Sequence, residues 1–338
     1  MMILAGDIGG TKTNLALLET DGHALGTIIA QQQFVSAGYA ALEDILREFR
    51  AAHDGANVSH AAFGIAGPVV DGLVSTPNLK WQVSAQSVAA TLQLPAVGLI
   101  NDLEATAYGI NELPPDKIYT LNEGTAEEGT HRALIAAGTG LGMAGLFWDG
   151  ARYRPIPSEG GHADLAPRNA QELKLWQYLQ AKYQDTASNG HVSIERVLSG
   201  SGLLNVYEFL RDNGTGNAPD GFDAQVQTAE LAKRGNGAAI VSQAAQDGSC
   251  DRAAQALALF VSVYGAAAGN LALTFVATGG LYVGGGIAPK IVEKLKDGAF
   301  MKAFCEKGRL TKLISQIPVR VILDDKTALY GAARYALR

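Results

Sequence analysis

A chain of 338 residues exceeds one ordinary hydrophobic core, so two domains are the better expectation, although a single α/β barrel of this size also fits. With 47% hydrophobic and 18% charged residues and 40 glycines, it can build a sizeable core with many tight backbone positions, which excludes a disordered chain. A net charge of -6, with no basic run, argues against a nucleic-acid surface, which needs clustered Lys and Arg.

In chain order, apolar patterning predicts hairpin strands over residues 3–6, 13–18 and 26–34, and the three-and-four spacing of "ALEDILREFRAA" predicts a helix. Strands follow at "HAAFGIAG" and "AVGLIND", with a helix from about Leu103. After a turn-rich stretch containing "LPPDK" and "NEGTAEEGTHR", the segment "ALIAAGTGLGMAGLFWDG" repeats the opening in miniature, each copy turning on Gly and Thr between two apolar strands. That repeat predicts a second lobe built like the first. Residues 165–250 read as helical insertions in it, with "SNGH" and "DNGTGNAPDG" as loops. A strand "PVRVILD" and a helix "TALYGAARYAL" close the chain.

Nothing between Ala253 and Pro289 is charged, and a membrane span needs about 20 predominantly apolar residues. Yet Gln255, Ser262, Asn270 and seven glycines from Gly265 to Gly286 interrupt the run, while Leu257, Phe260, Tyr264 and Leu271 keep helical spacing. A buried helix feeding a buried strand, "LYVGGG", is expected rather than a span. The two cysteines, Cys250 and Cys305, are too few and too distant for a disulfide framework or a CxxC zinc site, and are expected to be free thiols. The start "MMILAGDIGG" has no charged n-region or long apolar h-region, and "YALR" is no retention signal, so a cytoplasmic protein is expected.

The opening "GDIGGTKTN" fails the P-loop template and GxGxxG alike. A strand-turn-strand loop can still bind phosphate, because Gly9 and Gly10 let backbone N–H groups converge and Thr11 adds a hydroxyl. Asp7 would meet phosphate with repulsion, so its sensible role is to hold Mg2+ or its waters. An ordinary hairpin turn is the alternative reading. The second loop, with Gly138, Thr139, Gly140 and Gly142, favours function, since two such hairpins facing one another across a cleft clamp a triphosphate. A Rossmann reading is weaker, because strand and not helix follows Gly142. A third cluster, Gly284 to Gly286, ends a buried strand and opens a helix at about Ile287, where a base or ribose could lie on bare backbone; close packing is the alternative.

The motifs "DIGGTKT", "GTGLG" and "GGGIAP" resemble the phosphate 1, phosphate 2 and adenosine motifs of the ATPase superfamily of hexokinase, actin and the heat-shock chaperones. The resemblance implies a two-lobed actin-like (ribonuclease H-like) α/β fold with mixed sheets and a cleft between lobes. It also implies ATP contacts at Gly6, Asp7, Ile8, Gly9, Gly10, Thr11, Gly138, Thr139, Gly140, Gly284 and Gly285, with Mg2+ reached by Asp7 through water.

"LINDLEATAYG" puts Asn101 and Asp102 at a strand end before a helix, where α/β ligand sites open, although on the pair alone a helix cap is the favoured reading. "PSEGGHADL" presents Glu159 and His162 around a Gly-Gly turn, and "SIERVLSGSGL" presents Glu195 near a helix start. Together these stretches resemble bacterial glucokinases of the non-ROK type over essentially the whole chain. That resemblance implies ATP-dependent phosphorylation of D-glucose at its 6-hydroxyl, glucose bound by Asn101, Asp102, Glu159, His162 and Glu195, Asp102 as catalytic base, and a homodimer. It implies a small lobe of residues 1–112 and 325–338, a large lobe of 113–324, and hinges near 110–115 and 324–327. Lys12 and Asn14 depart from the pattern of many relatives toward the ROK kinases, as does "GIAGPVVDGLVSTPNLKW". The ROK zinc motif CxCGxxGCxE is absent after "EGGH", so no zinc is expected. The alternatives are a kinase for another hexose and a non-catalytic sugar- and ATP-binding regulator. A ROK-type repressor would need a helix-turn-helix before Asp7, which only six residues precede.

Overall fold

The computed structural model describes residues 1–338 except Pro77, Asn78, Lys80 and Arg234. Three residues of the ROK-like segment "GIAGPVVDGLVSTPNLKW" therefore lie outside the described residues. The chain forms two compact units, the first of Met1–Pro115, Tyr153–Pro157 and Asp324–Arg338, the second of Asp116–Arg152 and Ser158–Leu323.

The first unit runs β1 (Met2–Ile8), β2 (Lys12–Thr20), β3 (Leu25–Val35), α1 (Leu42–Ala52), β4 (Val58–Ile65), β5 (Val69–Val70), β6 (Leu73–Ser75), β7 (Gln82–Ser84), α2 (Ala85–Leu92), β8 (Gly98–Asn101) and α3 (Asp102–Gly109). Its main sheet has the order β3-β2-β1-β4-β8, antiparallel among β1, β2 and β3 and parallel from β1 through β4 to β8. The two-residue period of a strand decides both cores. On β1, Leu4 joins α1 residues Leu42, Ile45, Leu46 and Phe49 on one face, while Ile3 and Ala5 meet Leu329, Ala332 and Ala333 of the C-terminal helix on the other.

The chain continues through β9 (Ile118–Asn122), β10 (Arg132–Ala137), β11 (Leu141–Trp148), β12 (Tyr153–Ser158), α4 (Ala170–Lys182), α5 (Gly200–Asp212), α6 (Phe222–Ala232), α7 (Asn236–Gln246) and α8 (Asp251–Phe275). It ends with β13 (Leu281–Gly284), α9 (Val292–Leu295), α10 (Ala299–Cys305), α11 (Thr311–Ser315), β14 (Val319–Ile322) and α12 (Thr327–Ala336), the C-terminal helix of the first unit. The second unit's sheet runs β11-β10-β13-β14-β9, with β10, β13 and β14 parallel and the β10–β11 hairpin antiparallel. A hairpin followed by two parallel strands thus recurs in each unit, as the internal repeat anticipates.

By length and composition α8 could cross a membrane, but 78% of its apolar window is buried. A helix apolar all round belongs inside a core. Here Leu257, Phe260 and Tyr264 pack among Leu203, Tyr207, Phe300 and Phe304, each such burial contributing about 1.5–3 kcal/mol.

Four features differ from the sequence expectation. The turn-rich stretch after Leu113 contains a strand, β9, short and half-buried throughout at the sheet edge. The helix α2 and the small β5-β6-β7 sheet, whose strands have two or three residues, go unread because so few residues show no period. Strand β12 is likewise unannounced, being mostly exposed with two prolines. The helix expected at Ile287 is a 3-10 turn, Ala288–Ile291, with Pro289 inside it, followed by a single α-turn.

Candidate active site

In the first unit, three parallel strands end side by side. Register aligns Ile8 with Ile65 and Ile65 with Asn101, so Asp7 and the Asn101–Asp102 pair flank the end of β4. Strands two apart are about 10 Å from each other. The gap is bridged by α3 lying close. A Cβ on Gly64 of β4 would come within 2.7 Å of Ala105 Cβ and 3.7 Å of Asp102 Cα, so only glycine admits α3 at this distance.

Asn101 is the N-cap of α3, its Oδ1 accepting the Leu103 N–H (2.9 Å) while its Nδ2 donates to Gly67 O (3.1 Å). Asp102 opens the helix, and its Oδ1 also accepts from Leu103 N–H (2.9 Å). The favourable helix N-terminus stabilises an acid there. Asp7 lies across the hairpin from Asn14, whose Nδ2 donates to Oδ2 at 3.5 Å, and Gln33 in turn holds Asn14 by a 2.8 Å bond. Burial pushes the Asp7 carboxyl up to about 6; the Asn14 bond opposes this, and the charges of Asp102 and Asp325 add to it. A desolvated acid facing two more acids suits a divalent cation. Among the described residues no three His, Cys, Asp or Glu side chains stand close enough to hold an ion alone. That donor set fits Mg2+, which takes one or two carboxylates and fills its sphere with water and phosphate oxygens.

Gly6 lies inside β1 and Ile8 ends it, both laddered to β2 and β4, and the Ile8 side chain is buried in the core, so each offers only backbone to a ligand. The turn holds Gly9, Gly10 and Thr11, and the Gly9 N–H closes it on Lys12 O (2.9 Å).

In the second unit, the glycine loops meet. Gly138, Thr139 and Gly140 turn between β10 and β11, Gly138 N–H donating to Gly140 O (2.8 Å). Gly284 pairs with Ala136 in parallel register. Gly285 has φ +82°, and a Cβ on it would stand 2.3 Å from Ala137 O, so both conformation and packing require glycine. The sugar-side motifs converge on the same hairpin. Glu195, in a 3-10 turn before α5, accepts the Leu141 N–H at its Oε2 (2.8 Å), and Gly200 N–H donates to Gly138 O (2.9 Å). Residues 163–165 pair with 192–194 through Leu165 N–H to Val192 O and Ile194 N–H to Ala163 O, both 2.9 Å. That pairing carries the Gly160–His162 turn alongside Glu195. Glu159 and His162 are exposed, with His162 Nε2 3.9 Å from Glu159 Oε2.

Sequence reasoning passed over Gly64, Asp325 and Ser36, which lies behind the first hairpin. Each acts on residues far away in sequence, so no local pattern marks them.

The profile of the Glucokinase family matches residues 4–338. A glucokinase of a Nostoc species is 40% identical, the match covering 100% of this chain and 99% of that protein. The chain belongs to the Glucokinase family. Among solved structures, a glucokinase from an Antarctic psychrotroph superposes with a TM-score of 0.83 at 30% identity, covering 99% of this chain and 98% of that one. A ROK-family glucokinase from Streptomyces griseus, in complex with glucose and AMPPNP, superposes with a TM-score of 0.63 at 22% identity over 99% of each chain, a likeness of fold. The chain therefore has the two-domain, actin-like ATPase fold that its hairpin motifs imply.

Proposed function

We propose that this protein is a glucokinase in activity as well as family, transferring the γ-phosphoryl group of ATP to the 6-hydroxyl of D-glucose. The observation that carries the reading is the cluster at the strand ends of the first unit, where Asp102, Asn101 and the raised acid Asp7 lie together at the site α/β folds use for ligands.

Asp102 accepts the proton of the 6-hydroxyl as that oxygen attacks phosphorus in line. Asn101, Glu159, His162 and Glu195 hold the other sugar hydroxyls. Carboxylates and amides accept or donate to a hydroxyl, and an analogue lacking it leaves them unpaired, which gives the discrimination. The turns at Gly9–Thr11 and Gly138–Gly140 offer backbone N–H groups to the phosphates, and Gly284 and Gly285 offer flat backbone to adenosine. Asp7 would hold Mg2+ through water, and the ion, when bound, neutralises charge on the phosphates. Positioning and charge neutralisation supply most of the rate, since little covalent chemistry is asked of the protein.

The test is ADP release from Mg-ATP with glucose, mannose, fructose, N-acetylglucosamine or no sugar. Release that depends on glucose is expected. Release on another hexose changes the substrate, and sugar-independent or absent turnover overturns the reading in favour of a regulator. Asp102→Ala should lower kcat by about 100- to 10,000-fold, the usual share of a positioned base, with ATP still bound. Near wild-type turnover would make Asp102 a helix-start residue only.

A further inference from the structure

Gly9 and Gly10 give the first hairpin a turn with no side chains to fix its peptide planes. Loose peptides would sample many orientations. The restraint comes from Ser36, just beyond β3 and wholly buried. Its N–H donates to Thr11 O (3.1 Å), and its Oγ donates to Gly9 O (2.9 Å). The buried Thr13 Oγ1 lies 3.0 Å from the same Oγ. A hydroxyl carries one proton. Since Ser36 gives its proton to Gly9 O, Thr13 is the donor to Ser36.

The peptide group is planar and trans, so C=O and the following N–H point in opposite directions. Drawing Gly9 C=O toward Ser36 turns the Gly10 N–H away from it. Drawing Thr11 C=O the same way turns the Lys12 N–H away too. We propose that Ser36 is a positioning residue for the nucleotide, holding the Gly10 and Lys12 amides in the orientation that receives the phosphates of ATP. This rests on the reading of the hairpin as a phosphate loop. Two N–H groups fixed beforehand need no reordering when an anion arrives, which is the advantage of a preformed backbone anion site.

The variant Ser36→Ala removes the hold on Gly9 C=O and leaves the backbone bond to Thr11. Thr13→Val is the structural control, since it deletes a buried bond of the same kind without releasing the turn. Mg-ADP affinity is measured by calorimetry, and KM for ATP and glucose by coupled assay, with folding checked by circular dichroism. For Ser36→Ala we expect Mg-ADP affinity to fall and KM for ATP to rise about tenfold, the scale of one lost bond to a charged group, with KM for glucose unchanged. Thr13→Val should leave nucleotide affinity near wild type. Should Ser36→Ala not fold, Ser36→Cys, which keeps a weaker donor on the same stem, should still weaken Mg-ADP measurably. Unchanged Mg-ADP affinity in the folded Ser variant, an equal loss in Thr13→Val, or parallel loss of glucose binding overturns the proposal. Because Mg-ADP binding is read without turnover, a wild-type protein that binds nucleotide yet phosphorylates no sugar would sink the kinase reading and leave this one to be judged on affinity. Absence of any nucleotide binding would overturn both.

Discussion

Replacing the acid at the heart of the first unit should make the free protein more stable. The Asp7 carboxyl rises from 3.8 to about 6, chiefly through burial and further through Asp102 and Asp325. The folded state therefore binds a proton that the unfolded chain has released between about pH 4 and pH 6, so stability falls as pH rises through that window and stays reduced above it. At 1.36 kcal/mol per pH unit the full shift corresponds to roughly 3 kcal/mol. Asp7 keeps part of its surface in water, and screening reduces the expected effect to roughly 1–2 kcal/mol. Asp7→Asn removes the charge while keeping the shape. Urea unfolding of both proteins without nucleotide or metal, followed by circular dichroism at pH 4 and pH 7, should show the variant ahead by that amount at pH 7 and level with wild type at pH 4. Turnover should fall sharply in the same variant, since the proposed cation site loses its charge. A variant less stable than wild type at pH 7, or a gap independent of pH, refutes the argument that burial and like charges strain this carboxylate.

Two more substitutions test the second unit. Gly140→Ala places a Cβ 2.6 Å from Glu195 Oε2 and should drive the carboxylate off the Leu141 N–H, costing about 1.5–3 kcal/mol in urea unfolding and raising KM for glucose and ATP together, because one contact ties the two motifs. Val276, at the C-terminus of α8, is 56% exposed with φ +47°, a left-handed conformation costly for a β-branched side chain, so Val276→Gly should stabilise the protein by about 0.5–1 kcal/mol in the same assay with kinetics unchanged.

The strands and helices that carry the site were legible because their signals are local. Leu4 and Ile3 alternate across β1, and the apolar residues of α1 and α8 recur at helical spacing, so period alone discloses them. The repeated hairpin was legible for the same reason, each copy being a turn between two short strands. What stayed hidden depends on contacts between residues distant in the chain. Gly64 matters for what it lets α3 approach, Asp325 for the charge it sets near Asp7, and Ser36 for carbonyls twenty-seven and twenty-five residues before it.

The alternatives that the sequence left open at Asn101 are compatible in three dimensions. Its Oδ1 caps α3 and its Nδ2 binds Gly67 O, so the side chain is held by bonds at both ends of its amide. Each oxygen retains a second lone pair and each NH2 a second proton. A capped asparagine is therefore a restrained one with bonding capacity left over, and a ligand meeting it need not first order the side chain. The same holds for Glu195, tied at Oε2 to the Leu141 N–H with Oε1 on the same carboxylate. Helix caps and turn anchors at strand ends compete with a binding role only when they use every lone pair and proton, and neither residue reaches that limit through the bonds that fix it.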